Sequence, residues 1–309
     1  MITRCRTGCT IPMKKSDNRP FTIVVISGKG GTGKTTVTAA LAVLAENTIV
    51  CDADVDAANL HLILNPQVLE TRDFFGTEMA SIDETLCTGC GECLDACRYG
   101  AIAPDPIHVV ESFCEGCAAC FHVCPVSAVS MKPNRCGELY LSRIESGPMI
   151  HARLGIAEDN SGMLVSDVRK AADEMAESDH LGMILVDGPP GIGCPVIASL
   201  TGANLALVVT EPTVSGVSDL ERILELCGHF RIPARIIINK WDINEELCRT
   251  IESNAKATGA QVIGRIPYDE RVIESISKQM TVIAAGPESI AQEIRSIWDR
   301  VTDEITNIR

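Results

Sequence analysis

Eight of the fifteen cysteines stand in two runs of one spacing: Cys87, Cys90, Cys93 and Cys97, then Cys114, Cys117, Cys120 and Cys124. Both runs read C-x2-C-x2-C-x3-C. Thiolates are soft ligands that suit iron, and a 4Fe–4S cube takes four of them. Gaps of two residues let a short loop wrap three corners of a cube. Gly89, Gly91, Gly116, Ala118 and Ala119 are small enough to let backbone N–H groups approach the sulfurs and tune their potential. Zinc is the competing metal, but eight cysteines in two fourfold runs exceed any single zinc site. A disulfide scaffold needs an oxidising compartment, and nothing in these residues suggests export. Buried core cysteines have no reason to keep so regular a spacing. The segments after each run, Arg98-Tyr99-Gly100-Ala101-Ile102 and Pro125-Val126-Ser127-Ala128-Val129, match in residue type, so the whole unit reads as an internal repeat.

A second chemistry lies upstream. Ile23-Val24-Val25-Ile26 is a β-branched run suited to a buried parallel strand. It leads into Gly28-Lys29-Gly30-Gly31-Thr32-Gly33-Lys34-Thr35-Thr36, a GxxxxGK(S/T) loop, and an apolar helix follows from Val37 to Leu44. Strand, glycine-rich loop and helix together make a phosphate-binding loop. Its backbone N–H groups and the helix N-terminus face an anion, Lys34 reaches the β- and γ-phosphates, and Thr35 ligates Mg²⁺.

The cysteine spacing resembles that of bacterial two-cluster ferredoxins. The resemblance implies interlocked halves, each cluster taking its fourth ligand from the other run. Cys87, Cys90, Cys93 and Cys124 would then hold one 4Fe–4S cluster, and Cys114, Cys117, Cys120 and Cys97 the other. Proline follows Cys124 but not Cys97, a departure that touches no ligand.

The loop KGGTGKTT resembles the deviant Walker A motif of the MinD/Mrp group of P-loop ATPases. In that group the extra lysine contacts nucleotide across a dimer interface, so Lys29 implies a nucleotide-sandwich homodimer. Thr48-Ile49-Val50-Cys51 followed by Asp52, Asp54, Asp56, Asn59 and Leu60 resembles the group's switch I. The resemblance implies Asp54 first, then Asp56, as the residue that positions the attacking water. Asp52 would serve Mg²⁺ indirectly, and any of the three can instead cap the following turn. Met183-Ile184-Leu185-Val186-Asp187-Gly188-Pro189-Pro190-Gly191 matches Walker B with switch II, and Asp187 would lie near the Mg²⁺ shell. Cys194 stands where the related nitrogenase iron protein has a cluster ligand. That cluster needs two cysteines per subunit, and a buried or redox-sensitive thiol is the other reading of Cys194.

The base-reading end is ambiguous. Asn239-Lys240-Trp241-Asp242 is a literal NKxD, the guanine-reading motif of GTPases. In MinD-like ATPases an asparagine at this strand end contacts adenine, and Ile266-Pro267-Tyr268-Asp269 resembles the loop that closes over the base. The rest of the nucleotide site favours ATP.

These motifs need a scaffold. Strands at Leu205–Thr210 and Ala234–Ile238, and helices over 216–227 and 288–308, continue an α/β pattern after Asp187. The expected fold is a doubly wound, mainly parallel sheet of the P-loop NTPase type, carrying an inserted small α+β bacterial-ferredoxin-like domain. The expected division is a basic tail over 1–20, the first part of the ATPase domain over 21–80, the insert over 81–135 and the second ATPase part over 136–309. The alternation Glu138–Arg143 predicts a strand leading back to the core, and Gly147-Pro148-Met149 and Asn160-Ser161-Gly162 read as turns.

Seven acidic and three basic residues give the insert an acidic surface, suited to a basic patch on a redox or metalloprotein partner. With 41 acidic and 27 basic residues, a net charge of −14 and 4% aromatics, a nucleic-acid-binding surface is not expected. No apolar run is long enough to span a bilayer, and the last helix carries Asp299, Asp303 and Glu304 where MinD has a basic membrane-binding helix. A cytoplasmic protein without a stable membrane anchor is the expectation. Cys51, Cys136, Cys227 and Cys248 read as structural thiols. Cys5 and Cys9 form a C-x3-C pair in the tail, and Met13 is a second possible start. His61, His108, His122, His151, His180 and His229 show no ligand spacing with one another. The combined expectation is an ATP-hydrolysing iron–sulfur protein that couples nucleotide state to electron transfer or cofactor assembly. A cluster carrier of Mrp type, a redox-sensing positioning switch and a GTPase are the alternatives.

Overall fold

The computed structural model describes residues 19–155 and 161–308, so Cys5, Cys9, Met13, Asn160 and most of the basic tail lie outside the described residues. In chain order the first elements are β1 (Phe21–Ser27), α1 (Lys34–Leu44), β2 (Thr48–Asp52), α2 (Leu60–Leu64) and β3 (Gln67–Phe75). Next come β4 (Met79–Ile82), α3 (Glu92–Ala96), β5 (Ile102–Pro104), β6 (Ile107–Val109), α4 (Ala119–Val123) and β7 (Val129–Lys132). Then follow β8 (Arg135–Ile144), β9 (Gly147–Leu154), α5 (Ser161–Ser178), β10 (Met183–Pro190), α6 (Cys194–Leu200) and β11 (Leu205–Thr210). The rest is α7 (Val214–His229), β12 (Ala234–Asn239), α8 (Glu245–Thr258), β13 (Gln261–Ile266), α9 (Arg271–Ser277), α10 (Val282–Ala285) and α11 (Glu288–Ile308).

Nine strands make one sheet in the order β13-β12-β11-β1-β10-β2-β9-β8-β3. The run from β13 to β9 is parallel, while β8 is antiparallel to β9 and β3 antiparallel to β8. Helices cover both faces, which is why β1 and β11 are buried along their whole length and read as unbroken apolar runs. Ile49, Cys51, Ile184 and Val186 pack with α5, α6, α7 and α8 on one face. Val25, Val50 and Leu185 pack with α1, α2, α10 and α11 on the other.

The chain leaves this sheet after β3 and returns in β8. Those two strands pair with each other from Gln67↔Arg143 to Phe75↔Arg135, so exit and return lie side by side. Between them β4 pairs with β7 and β5 with β6, both antiparallel. With α3 and α4 they enclose a core of Ala80, Cys93, Ile102, Cys120 and Val129. The paired strands of this small unit begin at Met79 and end at Lys132, and Arg135 already belongs to β8.

The strand expected at Glu138–Arg143 is present and longer. Gly147-Pro148-Met149 is not a turn: these residues open β9, and the hairpin turns at Glu145 and Ser146. Pro148 is tolerated because pairing of β9 with β2 starts only at Met149, so its missing N–H is not asked for. Ser161 and Gly162 belong to α5 rather than to a turn. No helix among the described residues is long and apolar enough to cross a membrane.

Candidate functional site: a phosphate loop and two cysteine-lined cavities

β1 ends at Ser27, and α1 begins at Lys34. Between them Gly33 turns at φ +90°, and a Cβ there would fall 2.2 Å from Asn239 Nδ2. Both facts demand glycine at that position. The loop is braced from its own chain. Asn239 Nδ2 donates to Thr32 O (2.7 Å), Lys240 Nζ to Gly31 O (3.1 Å) and Ser27 Oγ to Lys29 O (2.9 Å). Gly28 lies against Asp219, Gly30 and Gly31 are exposed, and Thr36 is half-buried in the first turn of α1. The Thr32 hydroxyl is buried and finds no hydrogen-bond partner among the described residues.

Lys34 is 5% exposed, yet it is not isolated. Its Nζ lies 2.9 Å from Asp187 Oδ1 and 3.3 Å from Asp54 Oδ2. Burial pulls its pKa down, but Asp187 and Asp54 outweigh burial and hold it above the ordinary lysine value. Asp187 also accepts from Thr35 Oγ1 (2.7 Å) and Thr38 Oγ1 (2.9 Å). Burial raises Asp54, with Lys34 opposing. Asp52 is fully buried; burial and then the neighbouring Asp187 push its carboxyl well up. It accepts from Leu60 N at 3.1 Å and from Asp54 N at 3.2 Å, so it braces the loop after β2 and the start of α2. Asp56 is exposed.

Lys29 folds onto its own chain. Its Nζ reaches Glu211 Oε1 (2.8 Å), Thr213 Oγ1 (2.9 Å) and Ser215 Oγ (2.8 Å). Glu211 also receives Lys240 at 3.0 Å. Burial raises the Glu211 carboxyl, but the two lysines overcome it and hold it below the usual range. Asp242 Oδ1 accepts the Tyr268 N–H at 2.8 Å, so this aspartate ties the short 3-10 turn Trp241–Ile243 to the loop after β13. Tyr268 is exposed and Pro267 half-buried beside it.

In the small unit the cysteines sort into two cavities. One is lined by Cys87, Cys90, Cys93 and Cys124, the other by Cys97, Cys114, Cys117 and Cys120. Backbone N–H groups aim at sulfur in each set: Ala128 N to Cys124 Sγ at 3.2 Å, and Ala101 N to Cys97 Sγ at 3.3 Å. Gly89, Gly91, Gly116 and Ala118 all take positive φ, which lets the loops curl round the cavities. Cys93 and Cys120 are buried, and burial raises both thiols. Among the described residues no group of three or more His, Cys, Asp or Glu is close enough to hold a single metal ion. A cubic cluster asks for a wider cage, because its four thiolates sit on four different irons.

Cys194 is exposed at the start of α6. Cys51, Cys136, Cys227 and Cys248 are buried. Sequence reasoning gave no role to Thr38, Glu211 or the Thr213–Ser215 pair, and named Lys240 only as part of the NKxD run. Thr38 was within reach, lying one helical turn beyond Lys34. It also missed that His61 and His151 stack, their ring centroids 5.6 Å apart at 8°.

The CobQ/CobB/MinD/ParA nucleotide binding domain family matches residues 23–282. An uncharacterized protein of Methanocaldococcus jannaschii is 32% identical over 92% of this chain and 97% of its own. The septum site-determining protein MinD of Thermotoga maritima is 25% identical over 91% of this chain and 88% of its own. Among solved structures, MinD complexed with Mg-ADP from Pyrococcus horikoshii covers 94% of this chain and 99% of its own, at TM-score 0.56 and 18% identity. The MinC:MinD complex of Aquifex aeolicus covers 92% and 96%, at TM-score 0.53 and 22% identity.

Proposed function

The chain belongs to the CobQ/CobB/MinD/ParA nucleotide-binding family, and from that premise we propose an ATP-hydrolysing iron–sulfur protein whose nucleotide state is coupled to electron transfer or metal-cofactor assembly with a partner metalloprotein. The family supplies the nucleotide half. The carrying observation for the other half is the sorting of eight cysteines into two separate fourfold cavities. Soft thiols, amide donors aimed at Cys97 and Cys124, and small residues at the turns fit a 4Fe–4S cluster in each. When bound, such clusters supply one-electron transfer.

At the nucleotide, Lys34 meets phosphate charge, and Thr35 and Asp187 are the residues that would hold Mg²⁺. Asp54, within reach of Lys34, orients the attacking water. Lys29 would serve a second copy of the chain in a homodimer, after exchanging Glu211 for the partner's nucleotide. ATP is favoured over GTP because the MinD structure from Pyrococcus horikoshii, whose fold this chain shares, is complexed with Mg-ADP. Cys90 and Cys117 are exposed, one in each set, and that favours a second reading as a cluster carrier.

Anaerobically purified protein should carry about eight irons per chain and hydrolyse ATP in preference to GTP. Cys124→Ser should lower iron to about four by emptying the cavity that also holds Cys87, Cys90 and Cys93. Zinc in place of iron would overturn the cluster half, and a preference for GTP would move base reading to Asn239 and Asp242. Stoichiometric delivery of a cluster to an apo-ferredoxin would favour the carrier.

A further inference from the structure

Asp187, Asp52, His151 and Tyr140 are register partners on β10, β2, β9 and β8. Their side chains therefore share one face of the sheet, the face that α2 covers. Asp52 Oδ2 accepts Leu60 N–H at 3.1 Å, which fixes the first turn of α2. The next residue, His61, stacks on His151. The His151 ring lies 4.8 Å from that of Tyr140, tilted by 19°, and its Nε2 is 3.0 Å from Ser142 Oγ. The Tyr140 hydroxyl donates to Glu138. Glu138 receives Arg135 at 2.7 Å, and Arg135 Nε donates to Asp73 at 2.5 Å. Asp73 is on β3 and Arg135 opens β8, so this last pair clasps the two strands between which the cysteine unit is inserted.

We propose that the row Asp52–His61–His151–Tyr140–Glu138–Arg135 couples the nucleotide site to the cysteine-bearing unit. The proposal rests on the reading that nucleotide binds at Lys34. Charge arriving at Lys34 and Asp187 changes what Asp52 faces, and Asp52 holds α2. His61 cannot move with α2 without sliding on His151, because the rings are in contact and His151 is only 7% exposed. Tyr140 carries the displacement to the Arg135–Asp73 clasp, and the clasp sets how the unit leaves the sheet.

Hydrogen exchange on the full chain, with and without Mg²⁺ and a non-hydrolysable ATP analogue, tests this. In the unmodified protein the analogue should protect the loop at Gly28–Lys34 and change exchange within Met79–Lys132 by about fivefold or more. Tyr140→Phe, which removes one hydroxyl and keeps the ring, should leave loop protection intact and bring the remote change below about twofold. His151→Leu, which removes the stack, should do the same. An unaltered remote change in both variants, or none in the unmodified protein despite a protected loop, would overturn the row. An unprotected loop would overturn the nucleotide reading, and the row with it.

Discussion

Lys34 sits between Asp187 and Asp54, which keep a buried ammonium charged and aimed at the end of β1's loop. Lys34→Ala should therefore lower kcat for ATP by about a hundredfold to a thousandfold, the scale for losing one preorganised charge donor. A steady-state assay showing a change under about tenfold would remove Lys34 from the chemistry. His151 carries a pH signature. Burial, and then His61 beside it, lower its pKa from the ordinary 6.5 to about 4. Between those values the unfolded chain holds the proton and the folded chain does not. Stability therefore rises with pH across that window, and acidification through it costs on the order of 3 kcal/mol. His151→Phe should flatten that part of the profile of urea midpoints against pH; equal slopes would contradict it. Residues of the phosphate loop were legible because loop, strand and helix are contiguous in sequence. His61 and His151 were not, since what joins them is strand order in the sheet, which spacing along the chain does not carry. Glu211 was hidden for the same reason, because β11 and β1 are neighbours only once folded.

At the scale of elements, parallel strands were easy to read, because two helix layers force them to be apolar throughout. β3 was not, being an edge strand with Phe74 as its one buried residue. The β8–β9 hairpin was misplaced because glycine and proline at positions 147 and 148 suit a strand start as well as a turn. β13 depends on a position that no pattern flags. A Cβ on Gly264 would fall 2.2 Å from Ile297 Cγ1, and Ile297 is fully buried in α11. Gly264→Ala should cost about 1–3 kcal/mol by overpacking. Urea unfolding would register this as a lower midpoint at unchanged slope, and an unchanged midpoint would mean that α11 yields there.

Across the whole molecule, a nucleotide-binding sheet and a cysteine-rich unit are joined at one strand pair, β3 and β8. The two cysteine runs were plain in the sequence. Their interlocking is what the resemblance to two-cluster ferredoxins implies, and the two cavities are lined by the same two sets of four cysteines. Nothing in the sequence linked the two chemistries except their order along the chain. The shared sheet face from Asp187 to Tyr140 supplies a physical route between them. The most direct measurement is EPR of the anaerobically reduced protein, recorded with and without Mg-ATP in a sample that hydrolyses ATP. The expected result is a 4Fe–4S spectrum whose line shape or midpoint potentials move on nucleotide addition. A spectrum and potentials identical in both conditions would contradict coupling between nucleotide and clusters.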